Sequence, residues 1–174
     1  MDQTKITATS DITRTTAFTA ADHAVNLART LNPDLQFKVN EIDLHFDSHW
    51  YDCSDDPRAD TDPPKVIQWI ADRTLYVEPR RETATLLEPI SRQMIADGWT
   101  PRPTSTGGES ASIDLTKDGF TLSMGGDTGS STDHVSTIRI GVYSPCITAP
   151  AGILDWKPAA SPTPTSTSPS TPTP

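Results

Sequence analysis

Histidine and aspartate alternate over one short segment of this chain, and that pattern is the first one that could carry chemistry. On a strand, successive side chains point to opposite faces, so one face would hold Asp43, His45, Asp47 and His49. Imidazoles and carboxylates on one face can ligate a transition metal. However, His45 and His49 would lie about 13 Å apart along a straight strand, too far to share one ion. We therefore expect a solvated strand face that binds no metal. The alternative is a metal-dependent hydrolase, which would use His45, Asp47 and His49 as its metal ligands.

A second group of possible ligands is the acidic segment of residues 52–64. Carboxylate oxygens at close spacing can bind calcium, and this segment supplies Asp52, Asp55, Asp56, Asp60 and Asp62. The spacing does not match an EF-hand, and the glycine that such a loop requires is missing. We interpret the segment as a solvated surface loop.

The motifs of nucleophilic and nucleotide chemistry are missing from the sequence. It holds neither a G-x-S-x-G elbow nor an S-x-x-K pair. Cys53 would need His45 or His49 as its base, and a second cysteine makes a disulfide the simpler interpretation. The glycines of Gly107–Gly108 and Gly125–Gly126 fit neither a phosphate-binding loop nor a dinucleotide fingerprint. We expect no enzyme, no catalytic residue and no cofactor.

The two cysteines, Cys53 and Cys146, lie far apart in the sequence, each near the end of a predicted strand. Such a pair is typical of a single structural disulfide, which forms in an oxidising compartment. The alternative is two unrelated, reduced and buried thiols. The residues alone leave both possibilities open.

The charge of the chain excludes some classes of partner. Its formal net charge is −9, its pI is about 4.7, and lysine and arginine form no block. Phosphate backbones and anionic membrane surfaces would repel such a chain, so we expect no nucleic acid and no charge-driven membrane attachment. No apolar run reaches the roughly 18–20 residues of a membrane helix, and the residues after Met1 do not form a signal peptide. We expect a monomer that binds an unknown protein or envelope component.

Composition divides the chain into three parts. Residues 1–16 are rich in threonine and are predicted to be a disordered leader or linker. Residues 17–148 have the usual size of one domain. Residues 149–174 are predicted to be a disordered tail, because every residue from Pro158 onwards is proline, alanine, serine or threonine, and none can offset the entropy of ordering.

Two helices are predicted within the central part. Thr19 is placed to cap the first helix, an alanine-rich apolar stripe follows at helical spacing, and Asn32 before a proline ends it. Pro79 suits the first position of the second helix, and Gly98 its left-handed C-cap. Pro89 lies inside this helix, where we expect a kink or a late start.

Alternating apolar residues predict five strands and an α+β fold. A first strand with a bulge near Asn40 covers residues 37–46, and a second strand covers residues 66–77. A hairpin turns at Lys117–Gly119, a flexible loop spans Gly125–Asp133, and a last strand holds Ile138, Ile140 and Val142. The order α-β-β-α-β-β-β favours a two-layer sandwich in which both helices pack on one face of a mainly antiparallel sheet.

Aromatic residues outside the predicted core are candidates for a binding surface. Aromatic side chains are enriched at the cores of protein interfaces. Trp69 and Trp99 lie on elements that face the core, so we expect them to be buried. Trp50 and Tyr51 beside the acidic loop, and Trp156 at the edge of the tail, are the interface candidates.

Several segments together resemble the small lipoproteins of actinobacterial envelopes, with the mycobacterial LppA-like group as the nearest. The resemblance rests on Gly98–Trp99 after a helix, on the hairpin SIDLTKDGFTLSM and on the final strand IRIGVYSPC. It implies that the cysteine of the Ser-Pro-Cys sequence pairs with Cys53 and that a low-complexity segment spaces the domain. The sequence departs from the group in lacking a lipobox cysteine and in carrying its Pro/Thr/Ser-rich stretch at the C-terminus.

The sequence therefore predicts a non-enzymatic binding or structural domain that is secreted or associated with the cell envelope. One alternative is an acidic cytosolic or phage-encoded inhibitor of the immunity type, whose charge would steer it to a basic surface. The metal-dependent hydrolase remains the third hypothesis.

Overall fold

The structure, a computed structural model, describes residues 2–40, 50–53, 63–102, 112–130 and 132–155. The two long helices in these ranges are α1 (Gln3–Leu31) and α2 (Thr83–Ala96). The strands are β1 (Gln36–Val39), β2 (Trp50–Asp52), β3 (Val66–Glu78), β4 (Thr100–Pro101), β5 (Ser112–Lys117), β6 (Phe120–Asp127), β7 (Ser136–Tyr143) and β8 (Ile147–Thr148). A short 3-10 helix, Ile153–Asp155, follows β8.

The strands form one antiparallel sheet in the order β1-β3-β7-β6-β5-β4. β3 is the longest strand and organises the sheet. Its second half lies between β1 and β7, and its first half pairs with the short strands β2 and β8. Both helices pack on one face, where they bury Ala71, Leu75 and Val77 of β3. The predicted α+β sandwich of two helices on an antiparallel sheet is confirmed.

The first helix differs from the prediction at its N-terminus. Asp2 caps it, accepting a hydrogen bond from the backbone N–H of Thr4, so the helix includes nearly all of the predicted leader of residues 1–16. Its buried residues recur at helical spacing from the first turns onwards: Ile6, Ser10, Thr13, Ala17, Ala21, Ala24 and Ala28. The first part of this stripe consists mainly of small polar residues, so the pattern of large apolar side chains in the sequence does not indicate a helix there.

A buried arginine joins α1 to the central strand. Arg73 of β3 is only 4% exposed, and its Nε donates to Asp22 Oδ1 at 3.1 Å. Its guanidinium also lies 5.5 Å from the centre of the Phe18 ring, at a distance typical of a cation–π contact. Asp22 lies well inside α1 and binds this charge.

The N-terminal half of α1 covers a second, smaller core beside β2 and β8. Ile67, Trp69 and Ile153 are buried there. Trp69 Nε1 donates to Ser10 Oγ at 3.0 Å, which holds the indole against the helix. Because Ile153 is buried, the fold extends past the predicted boundary at residue 149. The rest of the predicted tail, residues 156–174, lies outside the described residues.

The second helix begins at Thr83, so the predicted start at Pro79 is wrong, whereas Pro89 lies inside the helix as expected. Its C-terminus follows the prediction. Gly98 has a φ of +95°, and the N–H of Trp99 donates to the carbonyl oxygen of Met94 at 3.1 Å. Glycine adopts this left-handed conformation without a steric cost, so it reverses the chain and folds Trp99 back onto the helix.

The predicted loop of residues 125–133 is wrong in its first part, because β6 continues to Asp127. Gly126 faces α2, and a Cβ atom there would lie 2.7 Å from the carbonyl oxygen of Thr137 and 2.8 Å from Cγ2 of Thr83. This glycine allows α2 and the sheet to approach closely. From the sequence alone, a glycine pair with this role looks the same as a glycine pair in a loop.

We expect Gly126→Ala to lower the free energy of unfolding by about 1–3 kcal/mol, the usual cost of overpacking. Urea unfolding at equilibrium measures the change. Thr83→Ser removes the methyl group but keeps the hydroxyl, so the double variant should recover part of the loss. Strictly additive effects would contradict the contact with Thr83.

The disulfide between Cys53 and Cys146 is present, with a Cα–Cα distance of 6.1 Å and a separation of 93 residues. Cys53 follows β2 and Cys146 precedes β8, so the crosslink joins the two strands that flank the first half of β3. Ser144 lies between β7 and β8, where its Oγ accepts a hydrogen bond from the backbone N–H of Trp69 at 2.9 Å. The crosslink therefore secures the second core.

Candidate functional site: a pocket beneath the first helix

Most of the candidates from the sequence lie outside the described structure. His45, Asp47, His49 and Trp156 lie outside the described residues, as does most of the acidic segment. Across the ranges that the structure covers, no three histidine, cysteine or acidic side chains are grouped so that they could hold a metal ion. The described residues therefore do not test the metal-dependent hydrolase, which stays the third hypothesis from the sequence.

Trp50 and Tyr51 lie on opposite faces of the sheet and cannot form one patch. Trp50 pairs with Trp69 and packs against the second core. Tyr51 pairs with Gln68 and is 57% exposed on the face that the helices leave open. Of these two residues, only Tyr51 keeps the exposure that an interface candidate requires.

The open face carries a shallow polar depression of about 280 Å³. Arg139 Nη2 donates to Asp72 Oδ2 at 3.0 Å, while burial and the nearby Asp72 raise the pKa of Tyr143. Asp72 Oδ1 has no hydrogen-bond partner within the described residues. That oxygen is buried, and a Cβ atom on Gly141 would lie 2.7 Å from it. A ligand in the depression would meet the ion pair but not this oxygen.

A larger and mainly apolar pocket of about 360 Å³ lies between α1, the end of α2 and the β5–β6 hairpin. Its lining residues are Thr15, Thr16, Thr19, Ala20, His23, Met94, Trp99, Lys117, Asp118 and Phe120. The size and the apolar walls with a few polar groups are typical of small-molecule sites, which usually measure about 300–1,000 Å³. This pocket is the best candidate site in the described structure.

Local structure explains how each wall of the pocket is formed. Positions 16, 20 and 23 of α1 share one helix face because they are spaced by four and three residues. The left-handed Gly98 places Trp99 at the second wall. In the third wall, Asp118 and Gly119 have φ values of 51° and 83°, which identify a two-residue type I′ turn between β5 and β6. The turn predicted at Lys117–Gly119 is confirmed, and it holds Phe120 beside the pocket.

A hydrogen-bonded cluster centred on Asp97 lies at the rim. His23 Nε2 is 2.8 Å from Asp97 Oδ2, and Gln93 Nε2 donates to Asp97 Oδ1 at 3.2 Å. Lys117 Nζ donates to the backbone carbonyl oxygen of Asp97 at 2.7 Å. The hydrogen bond from His23, followed by that from Gln93, holds the pKa of the Asp97 carboxyl below its ordinary value of 3.8. The cluster joins α1, α2 and the hairpin around the mouth of the pocket.

We expect His23→Ala to raise the pKa of Asp97 towards 3.8, because the largest stabilising interaction of its carboxylate is removed. NMR titration of the Asp97 carboxyl carbon measures this shift, and Gln93→Ala should cause a smaller one. A depressed carboxyl pKa stabilises the fold above its ordinary value, and the contribution disappears as pH falls through the folded value. The difference in stability between wild type and His23→Ala should therefore shrink below about pH 4.

No pattern in the sequence points to this pocket. His23 and Asp97 are separated by 74 residues, and neither belongs to a motif. The nearest signals are Gly98–Trp99 and the hairpin turn, and each of them indicates only a local structural feature. A pocket that depends on the packing of three separate elements has no local signature.

Comparisons of this chain with protein families, with curated proteins and with solved structures found no match. Among the described residues, no helix is long and apolar enough to cross a membrane. The disulfide and the pocket are therefore the features from which a function can be inferred.

Proposed function

We propose that this chain is a non-enzymatic binding domain, secreted or associated with the cell envelope, that takes up a small and mainly apolar molecule in the pocket beneath α1. The observation that carries the proposal is the pocket of about 360 Å³ with Trp99 and Phe120 in its walls. Aromatic side chains give a large apolar contact area, and the few polar groups at the rim can orient a ligand.

The disulfide supports the extracytoplasmic location. Structural disulfides persist in oxidising compartments and are rare in the cytosol of most organisms. The resemblance to actinobacterial envelope lipoproteins agrees with this location. A thiol count on denatured protein from its native host tests it: none before reduction and two after reduction are expected.

Two free thiols before reduction would contradict the location. They would favour the alternative of an acidic cytosolic inhibitor, whose net charge of −9 would direct it to a basic partner. The thiol count therefore separates the two hypotheses without requiring knowledge of the partner.

Filling the pocket tests the binding proposal. Ala20 lies on the pocket face of α1 and is partly buried, so Ala20→Leu places a larger side chain in the cavity. Ala8→Leu is the matched control, because Ala8 is exposed on the same helix and does not line the pocket. In NMR titrations with ring-bearing fragments, wild type and Ala8→Leu should show shifts around Trp99, and Ala20→Leu should lose them. Equal binding by all three proteins would overturn the proposal.

A further inference from the structure

We infer that the preferred ligand of the pocket is an uncharged, ring-bearing molecule with one hydrogen-bond donor, such as a phenol, and that His23 accepts this hydrogen bond. The inference rests on the proposed function, that the pocket binds a small molecule, and adds the chemical class of that molecule. It follows from the polar groups at the rim and from the apolar walls.

The partner of His23 determines which of its nitrogens can accept. A carboxylate only accepts hydrogen bonds, so the contact of 2.8 Å places a proton on Nε2 of His23. In a neutral imidazole the other nitrogen, Nδ1, then has a free lone pair. No group in the described ranges hydrogen-bonds to Nδ1. The side chain is about half exposed and lines the pocket, so Nδ1 can accept from a ligand.

The other polar groups of the lining reinforce this preference. Thr16 Oγ1 donates its proton to the carbonyl oxygen of Ile12 at 2.8 Å, which leaves only lone pairs for a ligand. The Asp118 carboxylate is also an acceptor. A donor group on the ligand therefore meets several acceptors, and the hydroxyls of Thr15 and Thr19 can accept as well as donate.

Charge at the rim disfavours an anionic ligand. Asp97 and Asp118 are both negative. The cation of the lining, Lys117, already donates to the Asp97 carbonyl oxygen and lies across Gly98, with Nζ 3.5 Å from the position of a Cβ there. An incoming anion would have to compete with this contact and approach two carboxylates.

The walls favour an aromatic or alicyclic ring. Trp99 and Met94 are buried to 7% and 0% exposure, and Phe120 faces them from the hairpin. A cavity of about 150 Å³ is sufficient for benzene. The pocket of about 360 Å³ therefore has room for one ring with substituents.

Three probes that share one ring test the inference. Phenol supplies a donor, toluene supplies none, and benzoate supplies an anion. We expect phenol to bind about three- to tenfold more tightly than toluene, the effect of one hydrogen bond, and benzoate to bind most weakly. Titrations of ¹⁵N-labelled protein at pH 8, where histidine is ordinarily neutral, give all three dissociation constants.

Two variants assign the preference to its residue. His23→Leu should remove the advantage of phenol over toluene while toluene affinity stays within about twofold, because the walls of Met94, Trp99 and Phe120 are kept. His134→Leu is the matched control, because His134 is exposed and does not line the pocket, and it should leave the ratio unchanged. If toluene bound to His23→Leu and to wild type with different affinities, the substitution would have altered the walls of the pocket. His23→Gln keeps an acceptor and should then still bind phenol more tightly than toluene.

The outcomes separate this inference from the proposed function. Equal affinity for phenol and toluene, or a preference for phenol that persists in His23→Leu, overturns the donor assignment and leaves the pocket as a binding site. Tightest binding of benzoate that disappears in Lys117→Met would assign an anionic ligand instead. Failure of every ring fragment to bind would overturn both the donor assignment and the proposed function.

Discussion

Replacing Cys53 and Cys146 together by serine is expected to lower the free energy of unfolding by about 4–5 kcal/mol. The crosslink closes a loop of 93 residues, and loop-closure entropy makes long loops the most stabilising. It also joins β2 and β8, which are only three and two residues long and lie at the ends of the small second core. Their short ladders with β3 provide few hydrogen bonds of their own.

Equilibrium unfolding in urea of oxidised wild type, reduced wild type and the double serine variant measures this loss. Reduced wild type and the double serine variant should have the same free energy of unfolding, because both lack only the crosslink. The single variant Cys53→Ser should be no more stable than the double variant. An unchanged midpoint after reduction would show that β3 and its neighbours hold the second core without the disulfide.

Trp69→Ala is expected to cost about 3–5 kcal/mol, the usual range for truncating a buried aromatic side chain. Trp69 is 1% exposed and is the largest residue of the second core. Its loss leaves a cavity between β3 and the N-terminal half of α1 and leaves Ser10 without its hydrogen-bond partner. We expect the first turns of α1 to separate from the sheet as a result.

Two milder variants divide this effect into its parts. Ser10→Ala removes the hydrogen bond between Trp69 Nε1 and Ser10 Oγ and should cost about 0.5–1.5 kcal/mol, the usual net contribution of one hydrogen bond. Trp69→Phe keeps most of the apolar volume, so its loss of unfolding free energy should lie between those of Ser10→Ala and Trp69→Ala. Hydrogen exchange of the amides of residues 6–16 should accelerate in Trp69→Ala more than in either. A loss below about 1 kcal/mol in Trp69→Ala would contradict the packing of α1 on the second core.

The parts of the fold that could be predicted are those whose signal lies within a few residues. The alternating apolar residues of β3 and β7, the turn at Lys117–Gly119 and the cap at Gly98 each depend on local conformational preference. All of these predictions are confirmed, and together they define the two layers. The disulfide is predictable because a lone pair of cysteines, each near a strand end, is typical of a crosslink.

The parts that the sequence did not reveal depend on close approach between distant segments. In the first half of α1, Ser10 and Thr13 are buried against β3, where a helix needs small side chains more than apolar ones. Gly126 shows the same preference in a strand. Composition does not distinguish a small residue that permits contact from one that only favours a turn.

The candidate pocket was not predictable for the same reason. His23, Asp97 and Lys117 come from three elements, and each is an ordinary exposed residue of its own segment. Only the packing of α1 across the end of α2 brings them together. Trp99 in the pocket wall belongs to the core as predicted, but nothing local indicates that a cavity remains beside it.

The position of the crosslink also determines how the domain responds to mechanical tension. A pulling force applied at the two ends of the chain passes through the sulfur atoms and bypasses the 93-residue loop that they close. Only segments outside that loop can then lengthen, namely α1, β1, β2 and the chain from β8 onwards. The force does not pass along the backbone of α2 or of the hairpin, which lie inside the loop, whereas it passes along α1, which forms one wall of the pocket. Stretching would therefore open the pocket from the side of α1, and reduction would expose the whole domain to the load.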